Sequence, residues 1–244
     1  MILRRITQHV KDQNWFAVAL DFVIVVVGIL IAFQITEWNE ARSERKLKGY
    51  YLERLHSDLT DTIDYLSINH KRSEAILEII NQFSGALNNP DTDDSELALK
   101  TTDYFARGTV LLDFKVNRIT FDDLSSSGNL EILEPKALVT ALTRLHTDFA
   151  DQDQDLLVNT DWILGSEVIL VTEFDWFRFD ELTTHLFSSK SPADIAVDIR
   201  SAEDNLRRNA AVHYWFIDAL KRDYEIMIAQ SQTVLEMLTQ ELEN

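Results

Sequence analysis

The chain has 244 residues, with no cysteine, six glycines, three prolines and a formal charge of −18 at pH 7. So few turn-forming residues argue against sandwiches, propellers and doubly wound sheets, and favour long helices. The lack of cysteine excludes a disulfide scaffold, a thiol nucleophile and a Cys-ligated metal site, and the acidity argues against nucleic acid as a partner.

The charge is unevenly distributed along the chain. Residues 1–50 carry a net charge of +2, whereas the rest of the chain carries −20. This division predicts three parts: a short basic N-terminal segment over residues 1–14, an apolar segment over 15–38 and an acidic body over 39–244.

The apolar segment has the length and composition of a transmembrane helix. Residues 16–36 contain a single ionisable residue, Asp21. As a helix this run measures roughly 31 Å, about the thickness of the hydrocarbon core of a bilayer. Trp15 and Trp38 flank the run, and tryptophan is enriched at membrane interfaces. We therefore expect a single membrane-spanning helix over 15–38, with the lipid bilayer as its partner.

Two other interpretations of this run are a buried core helix and a cleaved signal peptide. Core helices are rarely apolar on all sides over such a length. The run is longer than a usual signal-peptide core, and no small-x-small cleavage site closes its C-terminal end before Gln34. The number of Lys and Arg residues on each side does not decide the orientation. Because a large C-terminal domain translocates largely regardless of charge, we expect a cytoplasmic N-terminus and a periplasmic body.

Four residues of the span predict a helix-packing face. Ala17, Asp21, Gly28 and Ala32 fall close to one helical stripe, and Gly28 and Ala32 form a small-xxx-small pair. A carboxylate such as that of Asp21 is costly in lipid unless it reaches the headgroups or meets a partner. The stripe therefore suggests a contact with a second copy or with another membrane protein, and headgroup contact by Asp21 is the simpler alternative.

A long stalk helix is predicted to follow the span without a linker and to end at Asn88-Asn89-Pro90. Its apolar residues recur at steps of three and four from Leu52 to Phe83. Such a face is either a coiled-coil seam between copies or the core face of an intramolecular bundle. A later helix over residues 201–243 offers a partner and favours the bundle.

Shorter elements are predicted between the long helices. One helix begins with Asp94 or Ser95 as its N-cap and closes near Gly108, and Thr109–Asn117 is then a loop or a helix. Residues 121–127 form a short helix with Gly128 at the C′ position, where positive φ favours glycine. Its three terminal serines end the helix; they lack the surroundings of a nucleophile.

The second half of the chain also predicts helices. A long helix begins at Glu134-Pro135, with Pro at N1, and continues past Gly165. Its predicted apolar face consists of Leu138, Leu142, Leu145, Phe149, Leu156, Ile163 and Leu170. The aromatic cluster Phe174–Phe179 either fills a core or lines an apolar pocket. Ser191-Pro192 starts a short helix. Residues 201–204 resemble a capping box that opens the last helix, which we expect to pack antiparallel against the stalk in an all-α fold.

Two separated stretches resemble one known family. The first is Asp21 to Glu40, which includes Gln34, Trp38, Asn39 and Glu40; the second is Phe121 to Leu133, which includes Ser127, Gly128 and Asn129. The first resembles the signature of uncharacterised bacterial single-span membrane proteins: an acidic residue, an apolar run and Gly-Ile-Leu-Ile-Ala-Leu-Gln-Ile-Asn-Asn-Trp-Asn-Glu. The chain departs from that pattern at three positions, Phe33, Thr36 and Glu37. The resemblance implies a Gram-negative envelope protein with a mostly helical body, and it brings no activity. With the predicted span, we expect the protein in the bacterial inner membrane.

Motifs for catalysis, cofactors and metals are not found in the sequence. No glycine-rich phosphate loop occurs, and the six histidines are scattered without metal-ligand spacing. Asp151, Asp153 and Asp155 mimic the start of a calcium loop, but Leu156 and Trp162 stand where such a loop needs Gly and Glu. We therefore expect no catalytic residue, no cofactor and no metal site.

These observations favour a non-enzymatic, membrane-anchored helical protein that acts as an interaction or scaffold subunit of the envelope. Its expected partners are the bilayer and a second copy or another membrane protein. The alternative is a periplasmic ligand-sensing bundle. Because only about fourteen residues would lie on the far side of the membrane, such a sensor would have to signal through a partner membrane protein.

Overall fold

The computed structural model describes residues 15–173 and 191–243, and every regular element in those two ranges is helical. The chain divides into two compact units, Met1–Tyr50 and Tyr51–Asn244. The first helix, α1 (Trp15–Asn88), contributes residues to both units.

The remaining elements belong to the second unit. In chain order they are α2 (Asp94–Asp103), a π-helical turn (Tyr104–Gly108), α3 (Ile119–Ser127), a 3-10 turn (Asn129–Ile132), α4 (Lys136–Glu173), α5 (Pro192–Ser201) and α6 (Glu203–Glu243). The predicted all-α fold, with a long N-terminal helix that packs against the C-terminal helix, is confirmed.

Within the second unit, α6 runs antiparallel to α1. His70 Nε2 lies 2.8 Å from Glu225 Oε1, and one turn further along α1 the Glu74 carboxylate lies 3.3 Å from Lys221 Nζ. Residue numbers thus rise along α1 as they fall along α6. The apolar face of the stalk is therefore the core face of an intramolecular bundle, as the sequence favoured, and not a seam between copies.

Helix α4 completes the bundle and is also antiparallel to α6. Gln152 Nε2 donates to Asp223 Oδ2 over 3.0 Å, and Glu167 lies beside His213 further along α4. Every apolar position predicted for the face of α4 is buried: Leu138, Leu142, Leu145, Phe149, Leu156, Ile163 and Leu170.

The sequence predicts an apolar face of α6 that includes Val212, Phe216, Leu220, Ile226, Met227, Val234, Leu238 and Leu242, and this face is correct in part. Phe216, Leu220, Met227, Val234 and Leu238 are buried, whereas Leu242 is exposed. Ile226 is exposed, because the core positions continue through Met227 and a neighbouring residue on a helix is turned by about 100°.

Three predicted helix boundaries are wrong by one or two residues. The N-cap of α2 is Asp93, not Asp94 or Ser95; its backbone is extended and its carboxylate accepts from Ser95 N–H. Pro135 is not N1: its carbonyl accepts from Leu138 N–H, and the helix begins at Lys136. Ser201 does not open α6. It ends α5, and its hydroxyl donates to the carbonyl of Asp198.

Other local predictions are confirmed. Ser191 caps α5 by accepting from Asp194 N–H, with Pro192 in the first turn. Gly128 has φ of 75° and follows α3 directly. Of the two predictions for Thr109–Asn117, the loop is correct. The aromatic cluster at residues 174–179 lies outside the described residues.

Candidate functional site

The side chains in the apolar part of α1 are exposed, because no other described part of the chain covers them. Large apolar side chains project from it on all sides; Phe22 and Phe33, for example, are 69% and 63% exposed. Such a surface is the opposite of a core helix, so the core-helix interpretation is wrong. The helix is long and apolar enough to cross a membrane, and it is compatible with a single-pass membrane protein.

Three of the four residues predicted to form a packing stripe are not covered by any other described part of the chain. Asp21, Gly28 and Ala32 are exposed, and a Cβ added at Gly28 would meet nothing within 4 Å. The helix includes Trp15 and Ala17, but their side chains lie outside the described part of the structure. The stripe is thus an open face of the described helix.

Signature residues near the end of the span are also exposed. Gln34, Asn39 and Glu40 all face outward, and Trp38 is exposed with the guanidinium of Arg42 5.8 Å from its ring centroid. A cation over an indole ring is a weak attraction at an exposed site.

The second signature stretch has a structural role that is visible in its hydrogen bonds. Ser127 Oγ donates to the Asp123 carbonyl over 2.7 Å, and Gly128 N–H closes the helix onto Leu124. Asn129 Nδ2 then donates to the hydroxyl of Tyr51, 3.4 Å away, and that hydroxyl donates to Asp123 Oδ2 over 3.0 Å. This stretch therefore fastens α3 to α1.

Tyrosine hydroxyls hold the loop between the π-helical turn and α3. Tyr224 OH donates to the Asp113 carbonyl over 2.9 Å, and Tyr65 OH lies 2.6 Å from Asp113 Oδ1. Burial, reinforced by the hydrogen bond to Asp113, raises the pKa of Tyr65 to about 12. The same loop is tied to Asp58, whose carboxylate accepts from Asn117 Nδ2 over 2.8 Å.

A cluster of buried polar side chains includes Tyr104, the first residue of the π-helical turn. Tyr104 is stacked on Phe83, with ring centroids 4.3 Å apart, and its hydroxyl donates to Asn209 Oδ1 over 2.5 Å. His213 lies edge-on to Tyr104 and contacts Glu167. Burial, with the charge of Glu167 as the lesser cause, raises the pKa of Tyr104 well above its usual value.

Two atoms of this cluster have no hydrogen-bond partner among the described residues, His213 Nδ1 and Asn209 Nδ2. Both residues are almost wholly buried on α6. The sequence did not single out either of them, since only the partners brought together by the fold make them unusual.

A second buried histidine, His146, packs where α3 meets α4. Its ring is stacked on Phe121, and its Nδ1 has no hydrogen-bond partner in the described ranges. Burial, with a smaller contribution from the nearby Arg118, lowers the pKa of His146 to about 4. The ring is therefore neutral at ordinary pH and serves as packing surface.

An exposed aromatic pair lies on the outer surface of α4 and α6. Trp162 and Trp215 meet edge-to-face with ring centroids 5.6 Å apart, and they are 55% and 49% exposed. Leu157 and Val158 on α4 are also exposed. Clustered exposed apolar side chains of this kind are typical of contact surfaces.

Within residues 15–173 and 191–243, no three His, Asp or Glu side chains are arranged to hold a metal ion. Asp151, Asp153 and Asp155 are exposed on α4, as expected of a solvated helix face.

Comparison with protein-family models matches residues 21–161 to the Family of unknown function (DUF6090). The match covers more than half of the chain. The chain belongs to this family. No curated protein matches, and no solved structure matches.

The DUF6090 match begins at Asp21 and includes both stretches that carried the resemblance seen in the sequence, so the assignment to an uncharacterised family is confirmed. It also includes Tyr51, Tyr104 and His146. It ends before Trp162, and all of α6 lies beyond it.

Proposed function

We propose that this DUF6090 protein is a non-enzymatic, single-pass membrane protein of the bacterial envelope that works as an interaction or scaffold subunit. The observation that carries the proposal is the apolar run of α1, exposed on every side and part of the same helix that supplies a core face of the bundle. A solvent-exposed apolar surface of this size is unfavourable in water and favourable in lipid.

The proposed orientation has the N-terminus in the cytoplasm and the acidic body in the periplasm. A reporter enzyme fused after Asn244 tests it, using one reporter active only in the cytoplasm and one active only in the periplasm. Activity of the periplasmic reporter supports this orientation, and activity of the cytoplasmic reporter alone overturns it. Membrane fractions washed with alkaline carbonate test the anchor itself.

The proposed contacts within the membrane involve the face of Asp21, Gly28 and Ala32. Since the chain has no cysteine, single cysteines report on this face without background. Gly28→Cys and Ala32→Cys should form disulfide dimers in membranes, whereas Val26→Cys and Leu30→Cys, on the opposite side of the helix, are matched controls.

Equal crosslinking on both faces, together with a monomeric mass in detergent, would contradict self-association. A cysteine that crosslinks to a different membrane protein through the same face would support the scaffold role with a heterologous partner. The exposed Trp162 and Trp215 pair is a second candidate contact, on the body.

A ligand-sensing bundle is the second candidate function. It is favoured by a groove of about 560 Å³ lined by the last residues of the second stretch and the start of α4: Leu130, Glu131, Leu133, Lys136, Val139 and Thr140. Thermal-shift screening of the detergent-solubilised protein distinguishes the two. A reproducible shift with one ligand class, lost when Val139 is replaced by Arg, would favour a sensor over a scaffold.

A further inference from the structure

Where α1 leaves the proposed span, its basic and acidic residues lie on two different faces of the helix. Positions on a helix advance by about 100° per residue, so Trp38, Arg42, Arg45 and Lys46 fall within an arc of about 100°. The acidic residues of the same stretch, Glu37, Glu40 and Glu44, fall on a face centred about 150° away. All seven side chains are exposed. We call the first set the basic face and the second the acidic face.

The positions of the acidic residues do not allow ion pairs along the helix with the three cations of the basic face. Ion pairs within a helix form between residues three or four apart, and no Glu or Asp stands at either distance from Arg42, Arg45 or Lys46. In the part of the chain that the structure describes, none of the three forms an ion pair. By contrast Arg107, Arg118 and Arg207 each pair with an acidic residue four positions away.

Both arginines of the basic face turn back towards the apolar run. The guanidinium of Arg42 lies over Trp38, and Arg45 Nε donates to the carbonyl of Ala41 over 3.2 Å. Each partner stands one helical turn closer to the span. This direction is the one that the Cα–Cβ bonds of a helix favour.

The distance to the bilayer matches the reach of these side chains. Arg42 follows Thr36, the last residue of the apolar run, by six residues, or about 9 Å along the helix. The headgroup layer on each side of the hydrocarbon core is roughly 5–8 Å thick. Long cationic side chains that turn towards the span therefore end in or beside the headgroups, where their charges remain hydrated.

We infer that the basic face of Arg42, Arg45 and Lys46, together with Trp38, binds the phosphate groups of anionic phospholipids in the membrane that α1 spans. The inference rests on the proposed membrane anchoring. Guanidinium groups donate charge-assisted hydrogen bonds to phosphate oxygens, and the indole ring of Trp38 suits the interfacial layer. Residues 51–244, which carry −20, offer no comparable attraction for an anionic surface.

The test uses the full chain in nanodiscs of phosphatidylcholine containing one-fifth phosphatidylglycerol, with the retained lipids counted by native mass spectrometry. The basic-face variant carries Arg42→Gln, Arg45→Gln and Lys46→Gln. The matched control carries Glu37→Gln, Glu40→Gln and Glu44→Gln, which removes three charges from the other side of the same helical stretch.

Wild type and control should retain phosphatidylglycerol above its bulk fraction, and the basic-face variant should lose that preference, by about fivefold per cation removed at most. The wild-type preference should also fall as NaCl is raised from 50 to 500 mM, because exposed charges are screened. Equal retention in all three proteins, or a preference insensitive to salt, would overturn the inference.

Carbonate washing of the same membranes separates this inference from the proposed function. If the wild type remains in the washed membrane but shows no lipid preference, only the lipid site fails. If the wild type is released by the wash, the membrane anchoring itself is wrong, and the lipid site fails with it.

Discussion

The imidazole ring of His146 lies flat against the ring of Phe121, with centroids 4.0 Å apart and planes within 7° of parallel. This contact joins α3 to α4 in the interior of the bundle, where burial disfavours the charged form of the imidazole. Phe149 meets the same histidine edge-on, so one ring connects two aromatic neighbours.

Acid should weaken the fold through His146. Its pKa in the folded protein is lowered to about 4, below the value of about 6.5 in the unfolded chain. The unfolded chain therefore binds the extra proton, so stability that is present above pH 6.5 is lost as the pH falls towards 4. The loss from this group approaches ~3 kcal/mol at most. Urea unfolding of wild type and His146→Leu between pH 7 and 4 measures it, and identical pH slopes for the two would contradict the prediction.

The Tyr51 hydroxyl should contribute measurably to the attachment of α3. Tyr51→Phe removes the bonds to Asp123 and Asn129 and should lower the free energy of unfolding by about 1 kcal/mol, since its partners can regain water. Tyr214→Phe, at a more exposed tyrosine of α6, should change it by less than about 0.5 kcal/mol. Chemical denaturation in detergent gives both values. Equal effects would mean that the hydroxyl of Tyr51 does not contribute to the free energy of unfolding.

Replacing Gly128 by Ala should destabilise the protein by about 1 kcal/mol, because its φ of 75° favours glycine and is strained for alanine. Gly85→Ala is the matched control. Gly85 lies within α1, and a Cβ there would meet nothing within 4 Å, so alanine should stabilise the helix by about 0.5–1 kcal/mol. Opposite shifts of the unfolding midpoint are expected, and shifts of the same sign would refute the assignment of strain to Gly128.

Removing one partner of the Tyr104–Asn209 hydrogen bond should lower the free energy of unfolding more than removing both partners. Tyr104→Phe leaves Asn209 Oδ1 buried without a donor and should destabilise by about 1–3 kcal/mol. The double variant with Asn209→Leu removes both polar groups and should recover part of that loss. A double-mutant cycle measures the coupling, and strictly additive effects would show that the two residues do not act together.

Much of the fold was predictable because its signals are local. Gly128 as a helix terminator, Ser191-Pro192 as a helix start and the apolar period of α4 all depend on residues within a few positions of one another. The wrong boundaries at Asp93 and Ser201 arose because several neighbouring residues are capable of capping, and only the structure shows which local hydrogen bonds form.

The buried polar residues were not predictable in the same way. Tyr104 and Asn209 are separated by 105 positions in the chain, and nothing near either residue indicates the pairing. The same holds for His146, which looked like one of six scattered histidines until Phe121 was placed beside it. The basic face differs: its residues are neighbours in sequence, and the period of the helix was sufficient to find it.

The end of the family match is not a boundary of folding. Residues 21–161 supply Phe83, Tyr104 and Phe149 to the core, but the surfaces that cover them come partly from α6, whose Phe216, Leu220 and Tyr224 are buried in the same cluster. A chain cut at residue 161 would leave that apolar surface bare and Tyr104 without its acceptor. Recombinant fragments drawn from the match alone should therefore aggregate, and expression of the body needs the chain to continue through residue 243.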